Sequence, residues 1–282
     1  MVNMTNGGRN NKGVDLAIPS YAVQCPTMCT PPDILARGPF TTDQITIRWD
    51  PQPRPISSSA GDYIEERWDR YCAEARHNNR MLYNGLVAEL RAAEVRNNRL
   101  ELSLSPTDYK TFVVTCMRDR AWFLANAPEA ISPALGNSIL LTMNHQAILG
   151  VRSQAVAAYP GRVHLFGGVL DAPEVAGQSL DTNFLLRHLY QELHEELQIT
   201  PEHFLAPPRV LALLRDDFLG QPELAWHAPL KGPIDTLLGS LNTEEHDQYA
   251  LLDLAQPVAA YSVGLTPVAR KMLELQRSIG QA

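Results

Sequence analysis

The chain has 282 residues, 45% hydrophobic and 20% charged, which is the composition of a globular protein of one large or two modest domains. Its formal net charge of −7 argues against sequence-independent binding to nucleic acid or anionic lipid. An anionic substrate would therefore need local help, from a metal ion or from particular arginines. The sequence has no run of about 18 apolar residues to span a membrane, and the first twenty residues lack the apolar core of a secretory signal. The four cysteines, Cys25, Cys29, Cys72 and Cys116, are too sparse for a disulfide scaffold, and Cys25 and Cys29 lack a second pair at zinc-finger spacing. The expectation is a cytoplasmic protein with no membrane or nucleic-acid partner.

In chain order, residues 1–37 are rich in Asn, Gly and Pro, lack periodicity and read as a disordered or extended tail. In TTDQITIRW, Ile45, Ile47 and Trp49 alternate as in a strand. Residues 51–61 read as a loop. Residues 62–75 carry Ile64, Trp68, Tyr71 and Cys72 at helical spacing, with Asp62 as cap. Residues 82–95 and 99–104 flank Asn97-Asn98 and predict a hairpin. Ser105-Pro106-Thr107 predicts a helix start with Pro106 in its first turn. Residues 38–136 thus form a small α+β domain with no catalytic constellation. The acids Asp62, Glu65, Glu66 and Asp69 on its helix read as a solvated face.

The second half, 137–282, changes character. Residues 137–153 predict two strands around Asn144-His145, and RVHLFGGVLD (162–171) a strand ending at a double glycine. Residues 185–199 predict a helix. Residues 207–217, 222–230 and 247–254 read as strands, and 265–279 as a closing helix capped by Thr266 with Pro267 at its first position. Strands mixed with two helices predict a sheet sandwiched between helices.

The helix at 185–199 contains QELHEELQI, with Glu192, Glu195 and Glu196 at positions i, i+3 and i+4, a spacing at which like charges repel by roughly 0.2–0.5 kcal/mol per pair. On a helical wheel Leu186, Leu189, Leu193 and Leu197 mark the buried face. Glu196 and Glu192 flank it at roughly 70° and 110°, with Glu195 farther round. Partly buried like charges need a counter-charge, and carboxylate clusters are what Mg²⁺ prefers. His188 and His194, six residues apart, lie on different faces and share no metal. Upstream, Gly167 and Gly168 allow close backbone approach, and Glu174 follows Gly168 after five residues.

A strand, a double glycine, a later glutamate and a helix carrying E-x-x-E-E resemble the Nudix hydrolases, whose box is written G-x5-E-x7-R-E-U-x-E-E-x-G-U with U aliphatic. Gly168 matches the first glycine, Glu174 the first glutamate, Glu192 to Glu196 the segment E-U-x-E-E, and Ile199 the final U. The resemblance covers about residues 137–282. It implies an α/β/α sandwich with a mixed sheet and Mg²⁺- or Mn²⁺-dependent hydrolysis of a nucleoside diphosphate linked to another moiety. It departs from the family in three places: nine extra residues between Glu174 and Gln191, Gln191 in place of the arginine, and Gln198 in place of the late glycine. The same departures resemble the animal UDP-glucose/UDP-galactose diphosphatases, which implies a UDP-sugar substrate cleaved to UMP and sugar 1-phosphate. The alternatives are ADP-ribose or coenzyme A as substrate, or a nucleotide sensor without turnover.

By this resemblance Glu192, Glu196, Glu174 and a Gly168 carbonyl hold the metal, and Glu195 assists catalysis. Glu245, chosen from Glu244, Glu245 and Asp247, serves as a further ligand or base. Arg152 is the expected diphosphate-binding arginine, with Arg162 and Arg215 as further candidates, since an Arg fork suits phosphate oxygens. Tyr159, Phe166 and Trp226 are aromatics for base stacking or for the core. Self-association and the role of 38–136 are left open by the sequence.

Overall fold

A computed structural model describes residues 3–4, 32–77, 81–154, 156–173, 180–232, 245–261 and 264–280. The strands are β1 (Asn3–Met4), β2 (Asp33–Phe40), β3 (Ile45–Trp49), β4 (Leu86–Arg96), β5 (Arg99–Asp108), β6 (Gly136–Met143), β7 (Gln146–Arg152), β8 (Val163–His164), β9 (Phe166–Val169), β10 (Arg209–Asp216), β11 (Gln221–Pro229) and β12 (His246–Asp253). The helices are α1 (Ser58–His77), α2 (Tyr109–Phe112), α3 (Arg120–Asn126), α4 (Thr182–Leu197) and α5 (Pro267–Gly280), with a π-helical turn between α2 and α3.

The large sheet runs β1-β12-β7-β6-β11-β10-β2, with β8 beside β7 and β9 beside β6. It is mixed: β6 and β11 run parallel, and the other pairs are antiparallel. Alternation along the strands divides its apolar side chains between two faces. Ile139, Leu141 and Ile148 pack toward α4, where Leu185, Leu189, Leu193 and Leu197 meet them. Leu140, Leu149 and Leu214 pack toward α5, against Val268, Ala269, Met272 and Leu273. The result is an α/β/α arrangement. No helix among the described residues is long and apolar enough to cross a membrane.

One local feature opens the sheet. β6 and β7 pair only where Leu141–Met143 meets Gln146–Ile148. The chain turns between them at Asn144 and His145, both at positive φ. Beyond that point β8 takes up β7 and β9 takes up β6 instead. The short β8–β9 segment thus wedges between two strands of one sheet and places Gly167 and Gly168 at the gap.

The first half supplies a three-stranded sheet, β3-β5-β4, whose Ile45, Leu90, Leu100, Leu102 and Leu104 join the core shared with α4, while α1 and the α2–α3 segment form a separate cluster that the sheet enters at Val87. Asn97 and Asn98 both take left-handed backbone in the β4–β5 turn, as the hairpin expectation required. Five expectations need correction. Strand β2 occupies residues 33–40, so its first five residues fall in the expected tail. It pairs with β10, so the large sheet draws on both sides of the expected boundary at 136. Helix α1 begins at Ser58, and the Ser57 hydroxyl accepts from the Ala60 N–H at 3.4 Å, which leaves Asp62 inside the helix. Pro106 lies in β5, and the following helix starts at Tyr109, where the Asp108 carboxylate accepts from the Thr111 N–H at 2.7 Å. Gly167 and Gly168 sit within β9, where the expectation put them at a strand end.

Candidate active site

Helix α4 is pinned to the sheet by polar contacts as well as by its leucines. The Asp181 carboxylate caps it by accepting from the Phe184 N–H at 2.8 Å. The Asn137 amide donates to the Leu185 carbonyl at 2.9 Å and accepts from the Trp226 indole N–H at 2.7 Å. The buried His188 sits 3.1 Å from the Val169 carbonyl through Nε2. Trp226 and Phe166 are fully buried, so both belong to the core, whereas Tyr159 lines the cavity described below.

These contacts aim two glutamates at the double glycine. Glu196 is 2% exposed, and its Oε2 accepts from the Gly167 N–H at 2.9 Å. Gly167 has φ of +122°, and a Cβ there would fall 2.4 Å from the Asn137 carbonyl oxygen, so only glycine fits. A Cβ on Gly168 would fall 2.7 Å from Glu192 Oε2, so this position too is held open for a carboxylate. Glu195 is exposed and accepts from the Gln191 side-chain amide at 2.9 Å. Gln198 ends α4 in the left-handed region at φ 55°, a conformation that favours glycine.

Glu192 faces a cavity of about 400 Å³, and Gly167, Gly168, Glu245 and Arg152 line it too. The Arg152 side chain is fixed by donation from Nε to the Ala158 carbonyl at 2.8 Å. Glu223, Asp216 and Gln221 lie on its β10–β11 side, and Tyr109, Phe112 and Met117 reach it from the first half of the chain.

Burial and crowding make the acidic end electrostatically strained. Burial, then the neighbouring Glu245, Glu195 and Asp171, push the Glu192 carboxyl up to about 7. Glu196 is pushed well above the usual carboxylate range by burial and by Glu245 and Glu192, against the opposing Gly167 N–H and Arg152. Burial pulls the Arg152 guanidinium down, while Glu245, Glu196, Glu223 and Tyr109 hold it up. His246 is buried against the Phe166 ring with Nδ1 3.5 Å from Glu196 Oε1, and burial lowers it to about 3, which keeps it neutral.

Glu196 Oε1 is buried without a hydrogen-bond partner. With Glu192 and the Gly168 backbone, this hard-oxygen donor set fits Mg²⁺ or Mn²⁺. Among the described residues no group of three or more His, Cys, Asp or Glu is arranged to hold a metal ion. Glu174 lies outside the described residues.

The structure therefore brings Glu192, Glu196, Gly168, Glu245 and Arg152 together. Glu195 sits on the exposed side of α4. Arg162 packs beside Gly264 and does not line the cavity. Arg215 pairs with Asp33 and, at 3.5 Å, with Asp217, also away from it. Sequence reading missed Glu223, Asp216, His164 and His246, isolated polar residues in strands or beside them. It also missed the contribution of Tyr109, Phe112 and Met117.

No family model matches this chain, and no curated protein matches it. Among solved structures it is similar to a MutT NUDIX hydrolase from Burkholderia pseudomallei, at 21% identity and TM-score 0.36 over 51% of this chain and 97% of that one. It is likewise similar to the NUDIX domain of Shewanella oneidensis NrtR complexed with ADP ribose, at 18% identity and TM-score 0.40 over 56% and 97%. A C. elegans Ap4A hydrolase binary complex aligns at 17% identity and TM-score 0.36 over 52% and 96%.

Proposed function

We propose that this chain is a Nudix-type hydrolase that cleaves the diphosphate of a nucleoside diphosphate linked to another group, and that the substrate is a UDP-sugar, giving UMP and sugar 1-phosphate. The observation that carries this reading is the pair Glu192 and Glu196. Both are held against a double glycine beside a cavity whose wall includes Glu192 and an arginine, and both carboxyls are raised, first by burial and then by neighbouring acids. A solvated acidic face would not be buried or aimed in this way.

Glu192, Glu196 and the Gly168 carbonyl would hold Mg²⁺ or Mn²⁺, which supplies positive charge against the phosphoryl oxygens when bound. The chain's own groups do the positioning. Arg152, anchored on the Ala158 carbonyl, places its guanidinium against a phosphate of the substrate. Glu245 accepts the proton of the water that attacks phosphorus as the bridging P–O bond breaks. Holding these groups in place supplies most of the acceleration in phosphoryl transfer.

The departures from the family box support the UDP-sugar subgroup and are compatible with an intact site. Gln191 still tethers a glutamate, Glu195, and Gln198 still closes α4. The test is a hydrolysis panel of UDP-glucose, UDP-galactose, ADP-ribose, coenzyme A and NADH with and without Mg²⁺. UMP and sugar phosphate formed only with the cation and a UDP-sugar is the expected result. Cleavage of ADP-ribose or coenzyme A instead would discard the subgroup. Nucleotide binding without turnover would discard the enzyme reading in favour of a sensor.

A further inference from the structure

The cavity wall also includes Glu223 and Asp216, acids with no part in the hydrolysis just described. Glu223 stands on β11, is 7% exposed and lines the cavity. Its register partner on β6 is Gly136, where a Cβ would fall 2.0 Å from Glu223 Oε2, so the missing side chain makes room for the carboxyl. The Ser138 hydroxyl is buried beside it and opposes the rise of the carboxyl. Its neighbour Asp216 is different. Asp216 accepts from the Tyr159 hydroxyl at 2.7 Å and from the Phe218 and Leu219 N–H groups at 2.9 and 3.1 Å, and so serves the architecture.

We propose that Glu223, with the adjacent Gln221, forms a subsite that accepts hydrogen bonds from hydroxyl groups of the sugar part of the substrate. This rests on the reading of the site as a nucleoside-diphosphate hydrolase and specifies the non-nucleoside end.

The cavity lining and the room left at Gly136 carry the assignment. Arg152 lines the same cavity as Glu192, Glu245 and Glu223, and it feels the charge of Glu223 as well as that of Glu196 and Glu245. A diphosphate held at Arg152 therefore has its substituents in a cavity whose wall includes Glu223. The Glu223 carboxyl offers oxygen acceptors to hydroxyl donors. It also disfavours the carbonyl oxygens of a pyrimidine, which are acceptors. A pyranose offers a ring of hydroxyl donors and an apolar C–H face, and Phe112, Met117 and Leu219 supply apolar surface in the same cavity. Burial pushes the Glu223 carboxyl up to about 7.

The test uses the full chain without divalent cation and compares UDP-glucose with the P2-methyl ester of UDP, which keeps the charge and lacks the sugar. Calorimetry on the wild type should show UDP-glucose bound about ten- to a hundredfold tighter. Glu223→Leu should bring the two ligands to similar affinity while melting at or above the wild-type temperature. Glu223→Gln, which keeps an accepting oxygen, should retain part of the preference and serves if the leucine variant does not fold. Equal affinities in the wild type, or a preference untouched by both substitutions, would overturn the subsite. Turnover with Mg²⁺ is assayed separately. Its absence would sink the hydrolase reading while the binding comparison still decides the subsite.

Discussion

Two glutamates of this protein are equally buried and opposite in character. Glu89, on β4, is fully buried, and its Oε1 accepts from the Ser105 hydroxyl at 3.0 Å and pairs with Arg91 at 2.6 Å and Arg54 at 3.4 Å. The Ser132 hydroxyl donates to its other oxygen. Ser132 belongs to the segment that leads from the first half into β6, so this network ties the small sheet to the large one. Glu196 has one hydrogen bond, from the Gly167 N–H, and its remaining oxygen faces a neutral histidine beside two more glutamates. A buried charge surrounded by donors serves the fold. One surrounded by like charges needs a ligand to make its burial tolerable.

Exchanging each of these carboxylates for its amide should separate the two roles. The largest effect is expected at the crowded site. Glu192→Gln or Glu196→Gln should lower hydrolysis on the order of a thousandfold, since several kcal/mol of transition-state charge stabilisation depend on the cation. Without cation these variants should melt no lower than the wild type, because a strained charge has been removed. A large drop in their cation-free melting temperature would erase the contrast with Glu89.

Glu89→Gln should do the reverse. It leaves Arg91 without its counter-charge and should destabilise the fold by about 3–5 kcal/mol in denaturant titration. Hydrolysis per folded molecule should be retained.

The pH dependence of cation-free stability sharpens the comparison further. Glu192 rises from an ordinary 4.5 to about 7 on folding, and Glu223 does the same. An acid whose folded value is raised contributes stability below its unfolded value and loses that contribution as pH climbs toward the folded one. The cation-free protein should therefore lose stability between pH 4.5 and 7, by up to a few kcal/mol per group. Glu192→Gln should flatten part of that slope.

The smallest effect is expected at the end of α4. Gln198→Gly should raise stability by about 1 kcal/mol, because it relieves a left-handed residue that carries a side chain. Unchanged stability would mean that the glutamine makes compensating contacts.

What the sequence revealed follows the same division. Helix α4 was legible because its leucines recur at helical spacing, and its wheel correctly put Glu192 and Glu196 beside the buried stripe and Glu195 outside it. The turns at Asn97-Asn98 and Asn144-His145 were legible because such residues tolerate positive φ. Strand β2 was hidden because it is an edge strand whose Ile34 and Leu35 are exposed, which breaks the alternating pattern. Pro106 misled because a proline inside a strand argues for another structure. Here the pairing of β3 with β5 stops at Leu104, and a missing N–H is tolerated beyond it. Glu223 was illegible because one acid in an apolar strand reads as an outward-facing residue. Its meaning depends on Gly136, 87 positions away in sequence but adjacent in register.

The most direct test of the claim that Glu192 and Glu196 are crowded for the sake of a cation is a pair of thermal melts at neutral pH, with and without Mg²⁺. The wild-type melting temperature should rise with the ion, and Glu192→Gln should largely abolish the rise. An equal rise in the variant, or none in the wild type, would contradict the account and leave the burial of these carboxylates without a ligand to explain it.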